Sequence, residues 1–418
     1  MLKIINALNR INSHSVTRNT VALLVLQVIT MIAPLIALPY LTRVLGVDGF
    51  GIVMLVFSAC AIAMIITDFG FNLSATYKIS KHRQDKLYIN ELVGAIFLIK
   101  IALICAVLFT LFVYSYYVGG TIAGKTLLIY IGINIVAQAF IPTWFFQGIE
   151  KMKNVTYFMV FSKLSYLFLV FTFIKVESDI DLVILFYALS NLVAACIAIR
   201  LIYINGYSIA YPKSLSVGAV FKDSFQFFIS RAAVSIYTAA STFLVGAGAG
   251  IQQAAMYSAS EKVYQASQSI SGPISQALFP YMAQHKDNKL LFKIIAYIGL
   301  PLAIICCLIG FWAEDIMALI FGYDFKNAGD ILQIFLFITV INFVSVNFGY
   351  PAFAGLDKVN VANYTVMLGA LIQAICLLVL FFLDRVSAIT VVSSVLISEL
   401  FIMSSRVALY KYYCRLKN

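Results

Sequence analysis

Twelve apolar stretches of spanning length follow one another along this 418-residue chain, with short polar breaks between them. They lie at about 20–38, 51–72, 89–117, 127–147, 155–175 and 181–204, then at about 225–247, 252–279, 290–312, 329–351, 360–382 and 387–409. A helix needs about 20 mostly apolar residues to cross a bilayer, so this pattern predicts an all-α polytopic membrane protein of about twelve transmembrane helices. Composition agrees. Hydrophobic residues make up 62% and charged residues 11%, against roughly 45–50% and 25% in soluble domains; mean hydropathy is +0.96. A soluble enzyme and a large extramembrane catalytic domain are both excluded.

The net charge of +11 reads as topology rather than as a nucleic-acid footprint. With the N-terminus inside, the cytoplasmic segments hold twenty Lys and Arg residues and the external segments only Arg43, Lys125, Lys175, Lys326 and Arg385. Cytoplasmic loops carry such an excess, so both termini are expected in the cytoplasm. Six spans precede the 205–224 loop and six follow it. A half with an even number of spans returns the chain to its starting side, which makes two such halves parallel repeats. The expected organisation is an N-terminal six-helix lobe over 1–204, a cytoplasmic inter-lobe loop over 205–224, and a C-terminal six-helix lobe with a basic tail over 225–418. A faint repeat agrees: Leu45-Gly46-Val47-Asp48-Gly49-Phe50-Gly51 opens the second span much as Gly248-Ala249-Gly250-Ile251 opens the eighth.

Six of the seven cysteines lie in apolar runs, Cys414 sits in the basic tail, and the three histidines fall in polar segments. No spacing suits a metal, a disulfide framework or a nucleophile, so no catalytic residue, metal or cofactor is expected. The stretch from Met1 to Arg18 is polar and basic, and no small-residue cleavage site follows the first apolar run, which is expected to be retained as a span.

Charges inside spans are costly and normally face a watery cavity or a partner. Lys100, Lys163, Arg231 and Lys262 are the cations so placed, with Asp68, Glu91, Glu261 and Glu399 as the acids. Lys262, Glu261, Lys100 and Glu399 come out near mid-membrane; Arg231 and Lys163 lie closer to the cytoplasmic end, where they could equally snorkel. The eighth span is the most polar. Glu261, Gln265, Gln268, Gly272, Ser275 and Gln276 recur at helical spacing and share one face. That face must meet water or protein, so it either lines a transport cavity or holds the helix to its neighbours. Glu399, Glu261 and Asp68 are candidates for ion coupling; Asp68 also suits a structural partnership with the basic loop from Lys78 to Lys86. Pro142, Pro273 and Pro351 predict kinks.

Four stretches are distinctive: Asp68-Phe69-Gly70-Phe71-Asn72-Leu73-Ser74-Ala75-Thr76, Pro142-Thr143-Trp144-Phe145-Phe146-Gln147-Gly148-Ile149-Glu150-Lys151-Met152, Ser258-Ala259-Ser260-Glu261-Lys262-Val263-Tyr264-Gln265-Ala266 and Pro273-Ile274-Ser275-Gln276-Ala277-Leu278-Phe279-Pro280. Together they resemble bacterial O-antigen and polysaccharide repeat-unit flippases. Phe348-Gly349-Tyr350-Pro351 and the turn from Leu38 to Gly46 complete the resemblance, which runs from about Arg18 to Leu409. Many members carry Arg after the Ser-Ala-Thr, where this chain has Tyr77 and then Lys78. The resemblance implies a fold like that of multidrug-and-toxin exporters in a bacterial inner membrane. It also implies translocation of an undecaprenyl-pyrophosphate-linked oligosaccharide from the cytoplasmic to the periplasmic leaflet, alongside a polysaccharide polymerase and glycosyltransferases. The in-span cations Lys262, Arg231, Lys100 and Lys163 then become candidates to receive the anionic head, and Glu261, Gln265, Gln268, Ser275 and Gln276 a polar cavity face. Two rivals differ in what they require. A cation-coupled multidrug exporter calls for a mainly acidic cavity, and a membrane polymerase for a long external loop with arginines. The in-span charges here have both signs and the external loops are short.

Overall fold

A computed structural model describes residues 15–117, 125–213 and 215–417, all helix or short connection and without a strand. In lipid, successive single passes satisfy their own backbone only as helices. Among the described residues nine helical stretches are long and apolar enough to cross a membrane. The first, Ile32–Lys81, has 50 residues, roughly 75 Å at 1.5 Å per residue and more than twice a bilayer core of about 30 Å. It is not one rod. Helix α1 (Ser15–Asp68) is broken at Gly46, whose φ of 66° and ψ of −175° lie in a region essentially closed to other residues. Gly250 repeats this geometry (φ 94°, ψ 169°) between α8 (Val217–Ala249) and α9 (Ile251–His285). The glycine turn read from the sequence thus recurs as one backbone device, 204 residues apart. At 35 residues α9 has spanning length, yet it is not among the nine because its Ser, Gln and charged residues make it too polar.

The chain forms two compact units, one of Ala59–Ala232 with the chain up to Ala37, the other of Leu38–Ser58 with Ala233–Asn418. In the first, α2 (Phe71–Lys81), α3 (Lys86–Tyr117), α4 (Lys125–Ala139), α5 (Thr143–Gly148), α6 (Met152–Phe173) and α7 (Ile180–Ile204) follow in order. Pro142 separates α4 from α5 because it has no N–H to continue the ladder. The short α5 beyond it drives Trp144, Phe145 and Phe146 fully into the core. Its approach to α2 requires glycine at 148, where a Cβ would stand 2.6 Å from that of Ile79.

Two of the motifs singled out above form one contact. Asn72 donates to the buried Asp68 carboxylate at 2.7 Å and accepts from the Thr143 hydroxyl at 2.8 Å, and the Thr76 hydroxyl reaches the Trp144 carbonyl at 3.2 Å. Asn134, Asn191, Gln138 and Ser162 link α4, α6 and α7 through side-chain hydrogen bonds of 3.0–3.3 Å.

The segment after α7 is strapped to α3. Ala210 N donates to the Asn90 carbonyl, Ser208 N to Asn90 Oδ1 and Leu215 N to Glu91 Oε2. Gly94 permits this crossing, since a Cβ there would meet the Ala210 carbonyl at 1.8 Å. The start of α8 packs in the same unit. Phe69 stacks on Phe221 and Phe228, Ser74 bonds Ser224 at 2.8 Å, and Lys78 pairs with Asp223 at 2.8 Å.

In the second unit, α9 is followed by α10 (Asn288–Phe311), α11 (Ala313–Phe321), α12 (Gly329–Asn347), α13 (Tyr350–Gly355), α14 (Val359–Phe382) and α15 (Ala388–Lys417). Residues from Leu38 to Ser58 pack here. Phe50 stacks edge-on against Phe325, Arg43 donates to the Leu319 carbonyl, and Gly51 lies against the Ile251 backbone. The α12–α13 break matches that between α4 and α5. Phe353-Ala354-Gly355-Leu356-Asp357-Lys358 repeats the backbone course of Phe146-Gln147-Gly148-Ile149-Glu150-Lys151. Lys358 N bonds the Phe353 carbonyl as Lys151 N bonds that of Phe146.

Candidate functional site

The polar face of α9 is the most unusual surface of the second unit. Glu261 is buried and accepts from the Thr242 hydroxyl of α8 at 3.0 Å. One residue on, Lys262 is half-buried, and its amine donates to Gln265 Oε1 at 3.0 Å. Neighbours in a helix diverge by about 100°, so the two opposite charges do not face each other; Gln265 hydrogen-bonds both, and Glu261 has Thr242 besides. Gln268, also half-buried, donates to the Tyr264 hydroxyl; Tyr264 itself is stacked on Phe335 of α12. Ser267 and Thr339 share a hydrogen bond of 2.9 Å, and Ser260 donates to the Ala328 carbonyl. So α9 is held by hydrogen bonds on its Glu261–Tyr264–Ser267 side.

Around the helix the environment opens. A Cβ added to Gly272 would find no atom within 4 Å among the described residues. Lys262, Gln265, Gln268 and Gly272 follow at steps of 3, 3 and 4, so they form one strip, and at its Gly272 end no atom of the described residues crowds it. Ser275 is buried next to it. The side chain of Gln276 lies outside the described residues.

Glu399 on α15 is buried and receives both contacts of the Asn342 amide, at 3.3 Å each. The Tyr264 phenol is within electrostatic reach of both Glu261 and Glu399, so the two acids belong to one polar belt across α8, α9, α12 and α15. Thr242, Tyr264 and Asn342 complete this belt; Tyr264 lies in a motif quoted above, while Thr242 and Asn342 were not singled out from the sequence. Of these two, Asn342 was the more legible: an amide at the middle of a mostly apolar span.

The other in-span charges sit elsewhere. Lys163 is half-buried in the first unit, its amine 5.4 Å from the Tyr187 ring centroid. Asp68 is in the hydrogen-bonded contact between α2 and α5. Lys100 is only 1% exposed; its amine donates to the Ala139 carbonyl at 2.6 Å and lies 5.9 Å from the Phe71 ring centroid. The side chain of Arg231 lies outside the described residues. One buried cation escaped the sequence reading altogether. Arg406, counted there with the cytoplasmic tail, is 5% exposed and bonded to Ser345, Thr365 and Ala362.

Comparison with known proteins separates fold from family. The lipid II flippase MurJ in an inward closed conformation superposes with a TM-score of 0.66 at 11% identity, over 94% of this chain and 87% of that one. A multidrug resistance MATE family transporter of the MOP superfamily, in an inward-facing conformation, gives the same TM-score at 10% identity, over 93% and 98%. At such identities the likeness speaks for the fold alone: a multi-pass helical transporter fold of the MOP type. An Escherichia coli (strain K12) protein described as "Putative O-antigen transporter" is 32% identical over 279 residues, which is 64% of this chain and 65%, just under two thirds, of that protein. The model of the family described as polysaccharide biosynthesis protein matches residues 16–286, and the chain belongs to that family.

Proposed function

We propose that this protein is a flippase of the bacterial inner membrane. It carries an undecaprenyl-pyrophosphate-linked oligosaccharide of the O-antigen type from the cytoplasmic to the periplasmic leaflet by alternating access. Its twelve spans form two six-helix lobes with both termini in the cytoplasm. The observation that carries this reading is the half-exposed strip of Lys262, Gln265, Gln268 and Gly272, uncrowded at Gly272 among the described residues, on a helix otherwise fixed by buried hydrogen bonds. A purely cohesive polar face would be covered along its whole length. Membership of the polysaccharide biosynthesis protein family and the likeness to a protein described as an O-antigen transporter support the substrate class. Fold likeness does not, because a lipid II flippase and a multidrug transporter match equally well.

In this mechanism the lipid tail stays in the bilayer while the charged, sugar-bearing head passes through the cavity. A cation meets a phosphate far more strongly in a low-dielectric enclosure than in water, so Lys262 and Arg231 attract the pyrophosphate, with Lys163 nearer the cytoplasmic entrance. Gln265, Gln268, Ser275 and Gln276 offer neutral hydrogen bonds to successive sugar hydroxyls. No covalent chemistry is required. Glu261, Glu399 and Asp68 are the carboxylates available for ion coupling. A polymerase and glycosyltransferases act on the same glycan before and after the transfer.

The test is transbilayer movement in reconstituted vesicles, with an undecaprenyl-pyrophosphate oligosaccharide compared against a lipophilic cationic drug. Wild type is expected to move the lipid-linked sugar, and Lys262→Ala and Arg231→Ala to slow it about tenfold, the loss of one charge-assisted contact. Movement of the drug alone would replace this reading with the multidrug exporter.

A further inference from the structure

We propose that Lys100 and Arg406 are a matched pair of buried cations that cap the carbonyl ends of the two broken helices, α4 and α12, and that they act as positioning residues for those breaks. The inference rests on the transport reading above only for its kinetic arm.

The hydrogen bonds at the two breaks lead to it. In an α-helix the Ala139 carbonyl receives the N–H of residue 143. Here Thr143 N donates instead to the Ile141 carbonyl at 3.1 Å, and Pro142 has no N–H at all. The Lys100 amine takes the released carbonyl at 2.6 Å. In the second unit the Ser345 carbonyl awaits Gly349 N in the same way. Gly349 N turns to Val346 at 3.1 Å, and Arg406 Nη1 takes the Ser345 carbonyl at 2.8 Å and its hydroxyl at 3.1 Å. The guanidinium is completed by Thr365 Oγ1 at 3.0 Å and the Ala362 carbonyl at 3.4 Å, both on α14.

The two capped carbonyls are 206 residues apart and the matching turns beyond the breaks 207 apart, so they fall within one residue of equivalence. The cations are not equivalent. Lys100 comes from α3, the helix before α4, and Arg406 from α15, three helices after α12. A shared ancestry of the two donors does not explain the match; the shared need of the break does. Carbonyls at a helix C-terminus carry partial negative charge, and in a water-free interior they must be satisfied. A cation with several donors meets both demands. The same geometry leaves the Lys100 amine, beside the buried Asp68 carboxylate, turned to the protein backbone.

The experiment compares Lys100→Met and Lys100→Arg, and Arg406→Leu and Arg406→Lys, in the full-length protein. Melting temperature in detergent is read without substrate, and KM and turnover are read in the vesicle assay. Each donor-deleting variant is expected to lower the melting temperature and cut turnover at least tenfold with KM within about twofold. Each conservative variant is expected to restore most of both. If Lys100→Met does not accumulate, Lys100→Gln, which keeps a donor without the charge, is read as a partial deletion and is expected to melt below Lys100→Arg; equal melting would overturn the proposal. A tenfold rise in KM with unchanged turnover and melting would overturn the proposal and make the residue a substrate ligand. Unchanged melting and unchanged turnover would overturn it too. If wild type moves no lipid-linked glycan, the transport reading fails while the melting comparison still decides this one.

Discussion

Glu150 and Asp357 stand 207 residues apart and share the same left-handed backbone, each with φ of 59°. Each follows a six-residue helix, and each reaches across to a basic residue in the turn that joins two other helices. Glu150 pairs with Arg83 at 2.9 Å, and Asp357 with Lys286 at 2.6 Å. Both turns therefore hold a strained residue in place with a local ion pair. Arg83 also donates to the Gly148 carbonyl.

That arrangement sets two small energies against each other. A left-handed residue other than glycine costs roughly 1–2 kcal/mol, while exposed ion pairs contribute about 0.2–1 kcal/mol. Glu150→Gly and Asp357→Gly are expected to melt at or slightly above the wild-type temperature. Glu150→Ala, which keeps the strain and loses the pair, is expected to melt lower. Thermal unfolding in detergent compares them.

Gly94 and Gly272 are expected to respond in opposite ways to alanine. A methyl at Gly94 collides with the Ala210 carbonyl at 1.8 Å, whereas one at Gly272 meets nothing within 4 Å among the described residues. Overpacking costs about 1–3 kcal/mol, and the backbone contact at Gly94 puts it at the upper end. Gly94→Ala should reduce the folded yield, and Gly272→Ala should leave it unchanged. Size-exclusion profiles of the purified proteins would show the contrast.

Asp68 is expected to matter for the joint between α2 and α5. Asp68→Ala removes the acceptor for Asn72, and a hydrogen bond to a charged group contributes about 1.5–3 kcal/mol. Asp68→Asn keeps an acceptor and should lose less than half as much. Chemical denaturation of the two variants side by side measures the difference.

Glu261→Gln tests ion coupling without disturbing the fold. The glutamine carbonyl can still accept from Thr242, so the melting temperature should be unchanged. Transport in vesicles should stop responding to an imposed proton or sodium gradient. A response equal to wild type would remove Glu261 from the coupling set.

The apolar spans, the loop charges and the polar character of α9 were all legible in the sequence, because each is a local property of about 20 successive residues. The turn glycines were legible as well: at Gly46 and Gly250 the backbone needs a conformation that side chains forbid, so the residue type itself carries the signal. The motif around Asp68 and the one around Trp144 could each be seen, but not that they touch.

What only the tertiary structure decided is which polar groups are already partnered. In the sequence Lys100 and Lys262 are alike in depth: each is a lysine near the middle of its span. The fold bonds one to a backbone carbonyl 39 residues away and leaves the other half-exposed on a polar strip. Arg406 was hidden further by Lys411, Arg415 and Lys417, which made it read as one more tail charge; its partners lie 41–61 residues back in the chain. Charge and hydropathy record what a residue costs to bury. Whether that cost is met by a helix end, a carboxylate or a ligand depends on which helices pack together, and that is settled by contacts between segments far apart in sequence.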